Sequence, residues 1–69
     1  MSDTWAKEQR QLWIDEMLDV YGFINRIHIQ RKFRVSTPQA STDLKYYHDR
    51  HRGTCGYNAK TKRYERYEP

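Results

Sequence analysis

The sequence predicts an α+β domain: three helices followed by a two-stranded β-hairpin. Three observations predict it. Apolar residues recur at helical spacing through the first third of the chain, and capping residues at Asn25 and Ser36 open two further helices. After Gly53 the pattern changes to glycine-punctuated, strand-like alternation. A chain of 69 residues and 8.5 kDa has room for one small core, in which only about 60% of the unfolded surface becomes buried. That size excludes a pocket roofed by long loops, a doubly wound nucleotide fold and most self-sufficient enzymes. The ten aromatic residues among Trp, Tyr and Phe are enough for a compact core, despite 32% charged residues. The reading is one domain, residues 1–69.

The first helix is expected over 4–21, with Asp3 or Thr4 as its cap and Gly22 as its left-handed stop residue. Leu12, Trp13, Met17, Leu18 and Tyr21 form its predicted core stripe, widened by Ile14, while Glu8, Asp15, Glu16 and Asp19 face water. Trp5 lies off this stripe, as a packing lid or a contact with a partner. Phe23-Ile24 is too short for more than one or two extended residues. Asn25 caps a second helix over 26–33, where Ile29 and Phe33 share a face, and Ile24 or Ile27 lies beside them. Arg34-Val35 makes a tight break, with Arg34 standing where glycine is commoner. Ser36-Thr37-Pro38-Gln39 is the sharpest local signal: a capping serine, a proline in the first turn where its missing N–H costs nothing, and a glutamine at the capping-box position. A third helix follows over 37–49. The hairpin is expected over 54–66, from strands around Thr54–Tyr57 and Lys62–Arg66 joined by an Asn58–Thr61 turn.

Charge is divided along the chain. Residues 1–22 carry two basic and five acidic residues, whereas residues 23–69 carry eleven basic and four acidic ones. An acidic support helix behind a basic surface suits a polyanionic partner. The single Cys55 forbids an internal disulfide and reads as a small buried hydrophobe in a reducing compartment. No apolar run approaches the roughly 20 residues that span a bilayer, and the N-terminus lacks the pattern of a signal peptide. The expected location is therefore cytoplasmic and nucleoid-associated, with no membrane partner. His48, His51 and Cys55 lack a fourth ligand, and Arg50 and Arg52 oppose a cation, so no metal is expected. No cofactor and no enzymatic activity are expected either, because no nucleophile-base pattern or phosphate-binding glycine loop is present.

Two short helices joined by a tight turn, the second well capped, form a helix-turn-helix. At 100° per residue the third helix places Ala40, Leu44 and Tyr47 on its packing face with Asp43 at the edge. The opposite face shows Pro38, Thr42, Lys45, Tyr46 and Asp49, flanked by Gln39 and Ser41. Its first turns are short and polar, which suits entry into a major groove, where glutamine reads adenine and Ser or Thr reaches base edges. The candidate DNA-binding residues are Arg26, Ser36, Thr37, Pro38, Gln39, Ser41, Thr42, Lys45 and Tyr46, with Lys60, Lys62 and Arg63 on the hairpin.

Residues Asn25-Arg26, Ile29, Phe33 to Leu44 and Tyr47, followed by Tyr57 and Lys62-Arg63-Tyr64, resemble the N-terminal winged helix of WYL-domain transcriptional regulators. That family includes repressors of phage-defence islands and is similar to DeoR-type winged helices. The resemblance covers about residues 8–65, so a stand-alone winged helix-turn-helix is expected, with no effector domain and no small-molecule ligand. It implies a bacterial or phage repressor that binds an inverted-repeat operator in double-stranded DNA as a homodimer, formed on DNA if not before. Thr37, Gln39 and Thr42 would then lie near bases. Two other readings fit the size and charge: an architectural protein that bends DNA in the manner of phage excisionases, and a protein-interaction module on the same fold.

Overall fold

The computed structural model describes residues 2–67. Helix α1 spans Ser2–Val20, strand β1 Phe23–Ile24, helix α2 Arg26–Phe33, helix α3 Thr37–Arg50, strand β2 Cys55–Asn58 and strand β3 Arg63–Arg66.

Helix α1 starts at Ser2, so Asp3 and Thr4 lie inside its first turn and do not cap it. At its other end Gly22 has φ 84°, and its N–H donates to the carbonyls of Met17 at 3.2 Å and Leu18 at 3.0 Å. This left-handed turn ends the helix where a side chain would be strained. The buried stripe is rotated from the predicted one. Ile14 and Leu18 are fully buried, Trp13 and Met17 half-buried, and Leu12 and Tyr21 exposed. The cause is polar: Arg10 and Gln11 both hydrogen-bond to Asp43 on α3, which turns the 10–14–18 edge inward and Leu12 out.

Asn25 opens α2 by accepting from the Ile27 N–H at 2.9 Å and the His28 N–H at 3.3 Å. His28 completes a reciprocal capping box, its Nδ1 accepting from the Asn25 N–H at 3.2 Å. Arg34, at φ 56°, closes the helix in the left-handed region, and its N–H donates to the Gln30 carbonyl at 2.8 Å. Ser36 caps α3 through its Oγ, which accepts from the Gln39 N–H at 3.2 Å. The Gln39 side chain does not return to Ser36, so only this half of the capping box forms; it runs forward to Asp43.

The sheet has three antiparallel strands in the order β1-β3-β2, where the sequence predicted two. Phe23 pairs with Glu65 and Ile24 with Tyr64, while Tyr57 pairs with Tyr64 across the hairpin. Without β1, the outer edge of β3 would present unpaired backbone groups. Two residues after Gly22 suffice to cover it, and the Gly22 carbonyl extends the pairing by accepting from the Arg66 N–H at 2.9 Å.

The core consists of Ile14, Leu18, Ile24, Ile29, Ala40, Leu44, Tyr47 and Cys55, with Trp13, Met17, Phe33, Val35 and Tyr64 packed against it. Trp13 and Phe33 meet edge-to-face at 5.6 Å. The Tyr47 hydroxyl donates to Asp15 at 2.6 Å, and burial together with that carboxylate pushes the phenol pKa well above its ordinary value. Among the described residues no helix is long and apolar enough to cross a membrane.

Candidate nucleic-acid interface

The N-terminal half of α3 leaves Ser36, Thr37, Pro38, Ser41, Thr42 and Lys45 exposed. Ser36 and Thr37 also serve the fold locally: Ser36 caps the helix, and Thr37 Oγ1 accepts from Gln30 Nε2 at 2.9 Å. Lys45 pairs loosely with Asp49, one turn on, at 3.4 Å. Ser41 and Thr42 have no such internal partner among the described hydrogen bonds.

A cleft runs between the start of α2, the α3 face at Ser41 and the hairpin. Arg26, Lys62 and Arg63 line it, and no carboxylate does. Ile27 and Tyr57 stand exposed beside it, apolar surface that sequence periodicity does not assign to this face. At the hairpin tip Lys60 and Lys62 project into solvent. Lys62 takes the left-handed conformation at φ 58°, and its N–H donates to the Asn58 carbonyl at 2.7 Å. Asn58 Oδ1 accepts from the Lys60 N–H at 2.9 Å, which holds the tip in shape. The turn therefore runs one residue further than the predicted Asn58–Thr61.

Three of the candidate residues sit differently from the sequence reading. Arg63 belongs to β3 and not to the tip; its Nε donates to Glu65 at 2.8 Å, and its guanidinium lies 4.0 Å over the Phe23 ring. Tyr46 turns toward α1, with Lys7 Nζ 3.7 Å above its ring and its hydroxyl accepting from Arg50 Nη1 at 2.7 Å. Gln39 is half-buried, and its Nε2 donates to Asp43 Oδ1 at 3.0 Å. Asp43, placed at the edge of the packing face by helical spacing, is only 1% exposed. Its Oδ2 accepts from Arg10 Nε at 2.6 Å, and its main-chain carbonyl accepts from Gln11 Nε2 at 2.9 Å. Gln39 and Asp43 are one helical turn apart, but no local signal marks the partners on α1, because Arg10 and Gln11 lie far from Asp43 along the chain.

The histidines and cysteine also have structural surroundings. His51 stacks on Tyr47 at 4.0 Å, His48 tilts over Tyr64 at 5.7 Å, and burial raises the pKa of the Cys55 thiol. Away from the cleft, Glu8, Asp15, Glu16 and Asp19 are exposed on α1. These α1 carboxylates lie outside the lining of the cleft, although Arg66 reaches Asp19 at 3.3 Å.

Helices α2 and α3, joined at Arg34–Val35 and followed by the β2–β3 hairpin beside a carboxylate-free cleft, define a winged helix-turn-helix domain. The chain belongs to the BrxR transcriptional regulator winged helix-turn-helix domain family, whose model matches residues 7–69. No curated protein matches the chain. It is a DNA-binding domain of a transcriptional regulator.

Proposed function

We propose that residues 1–69 act as one sequence-specific unit on double-stranded DNA and repress transcription from the operator they occupy. Helix α3 enters the major groove, with Thr37, Pro38, Gln39, Ser41 and Thr42 toward the bases. Ser36, Lys45 and Arg26 face the flanking phosphates, and the hairpin lies on the adjacent backbone through Lys60 and Lys62. The observation that carries this reading is the cleft: Arg26 and Lys62, with no carboxylate in the lining, beside a short, polar helix face. Arg63 and Tyr46 contribute by shaping the hairpin and the back of α3, since each is already paired within the protein. No cofactor or small-molecule ligand enters this reading, and the location it implies is the cytoplasm, on the nucleoid.

A single domain of this size covers only about 600–1,000 Å² of DNA contact, so tight binding calls for two copies on an inverted repeat. The exposed Trp5, Leu12 and Val20 of α1, each more than 60% accessible, supply the surface for that pairing. Sedimentation with and without a two-half-site duplex tests the dimer, and a strict one-to-one complex at protein excess would exclude it.

Salt titrations of DNA affinity test the assignment. Lys62→Ala and Arg26→Ala should each weaken all duplexes alike and flatten the salt slope by about one unit. Gln39→Ala should instead reduce discrimination between operator and competitor by about 1–3 kcal/mol. Equal losses on both duplexes for Gln39→Ala would remove it from base reading.

A further inference from the structure

A fully buried carboxylate one helical turn from Gln39 is an unusual choice for so small a core. Asp43 accepts on both oxygens, from Arg10 Nε at 2.6 Å and from Gln39 Nε2 at 3.0 Å. Both backbone ends of the connection are held as well: the Gln39 N–H by Ser36 Oγ at 3.2 Å, and the Asp43 carbonyl by Gln11 Nε2 at 2.9 Å. We propose that Asp43 is a positioning residue that sets the base preference of Gln39, selecting adenine against guanine at one operator position. This rests on the reading that Gln39 meets a major-groove base edge.

The argument is one of donors and acceptors. A carboxylate paired with arginine has no hydrogen to give, so Gln39 must present its nitrogen to Asp43. A free glutamine amide can exchange its oxygen and nitrogen by rotating about its last bond, and so presents either end. Here one end is pinned. What remains for a ligand is the Oε1 acceptor and a single N–H. Adenine offers the matching edge, an N6 amino donor and an N7 acceptor. Guanine offers two acceptors, N7 and O6, and would need two donors from a side chain that has one left. Asp43 therefore excludes guanine by occupying the second N–H, while Arg10 holds the Asp43 carboxylate in place.

A purely structural role, in which the Arg10–Asp43 pair only ties α1 to α3, makes a different prediction, and base preference separates the two. Wild type, Gln39→Ala, Asp43→Asn and the double variant would be equilibrated with a pool of randomised duplexes, and the bound fraction sequenced. Arg10 can only donate, so the amide that Asp43→Asn introduces turns its oxygen to Arg10 and its amino group to Gln39; Gln39 then offers its oxygen inward, and both of its N–H groups are released toward a base. The expected result is a drop of about tenfold or more in the adenine-to-guanine ratio at a single position for each single variant, with other positions unchanged. The double variant should be no more relaxed there than Gln39→Ala alone. Relaxation at every position would mean that Asp43 only supports the fold, and would overturn the proposal. So would relaxation by Gln39→Ala with none by Asp43→Asn. A wild-type protein that selects no sequence would defeat the underlying reading of specific binding, a distinct failure. Should Asp43→Asn not fold, the wild-type and Gln39→Ala selections decide: adenine is expected at the position that Gln39→Ala relaxes, and guanine there would overturn the proposal.

Discussion

Helix α3 and the hairpin flank the same cleft, yet different physics holds each of them there. Ala40, Leu44 and Tyr47 of α3 are buried, and Asp43 is clamped between Arg10 and Gln39 beneath the exposed face. The hairpin buries Cys55 alone, and its tip from Ala59 to Lys62 is exposed. Its shape comes from polar bonds at the surface: Arg63 Nε, Asn58 Nδ2 and Thr61 Oγ1 all donate to the Glu65 carboxylate, at 2.8–2.9 Å. A helix positioned by burial keeps its side chains in register, as base reading requires. A hairpin held by solvent-facing bonds opens and shifts more easily, which contact with phosphates tolerates.

The comparison can be broken most severely at Arg10. Arg10→Met leaves Asp43 buried without its cation and should destabilise the fold by about 3–5 kcal/mol in denaturant titration. A loss below about 1 kcal/mol would show that the pair does not fix α3. Leu44→Ala should cost about 2–5 kcal/mol by opening a cavity. Tyr57→Ala on the exposed hairpin should stay within about 0.5 kcal/mol. Similar Tm shifts for these two would erase the contrast between the regions.

The hairpin has its own smaller lever. Lys62 holds a positive φ that glycine adopts freely, so Lys62→Gly should stabilise the fold by about 0.5–1 kcal/mol while weakening DNA binding through the lost charge. A Tm unchanged or lowered by that substitution would mean that the left-handed turn is not strained.

The smallest expected effect concerns pH. The hydrogen bonds from Arg63, Asn58 and Thr61 lower the Glu65 carboxyl to about 2 in the folded hairpin, against about 4.3 in an unfolded chain. The folded value is the lower one, so the ionised form favours the fold. That contribution is complete above about pH 4.5 and disappears as pH falls through about 2. An NMR titration of the Glu65 carboxyl carbon measures it directly. A midpoint near 4 would show that these bonds do not persist in solution.

Local chemistry explains which features were legible before the fold. Asn25, Ser36, Pro38 and Gly22 act within five residues of themselves, so the helix ends at Gly22, Asn25 and Ser36 could be read from residue type and spacing. Arg34 was visible as an odd residue at a glycine-like position for the same reason. The Ala40–Leu44–Tyr47 face followed from helical periodicity, because the whole face turns toward the core. Periodicity failed on α1, where hydrophobicity suggested Leu12 and the burial went instead to the side carrying Arg10 and Gln11. It also failed for Tyr46, an aromatic on the predicted free face whose ring is covered by Lys7.

From the sequence alone came the three helices, the caps of α2 and α3, the hairpin and the separation of charge, each fixed by interactions between near neighbours or by composition. Only the tertiary structure decided which side of α1 faces inward, that Phe23–Ile24 completes the sheet against β3, and that Asp43 is buried with Gln39 pinned to it. The physical reason is distance along the chain. Arg10 meets Asp43 across 33 residues and Tyr47 meets Asp15 across 32. No local rule encodes such pairings, which exist only once α1 has been laid across α3.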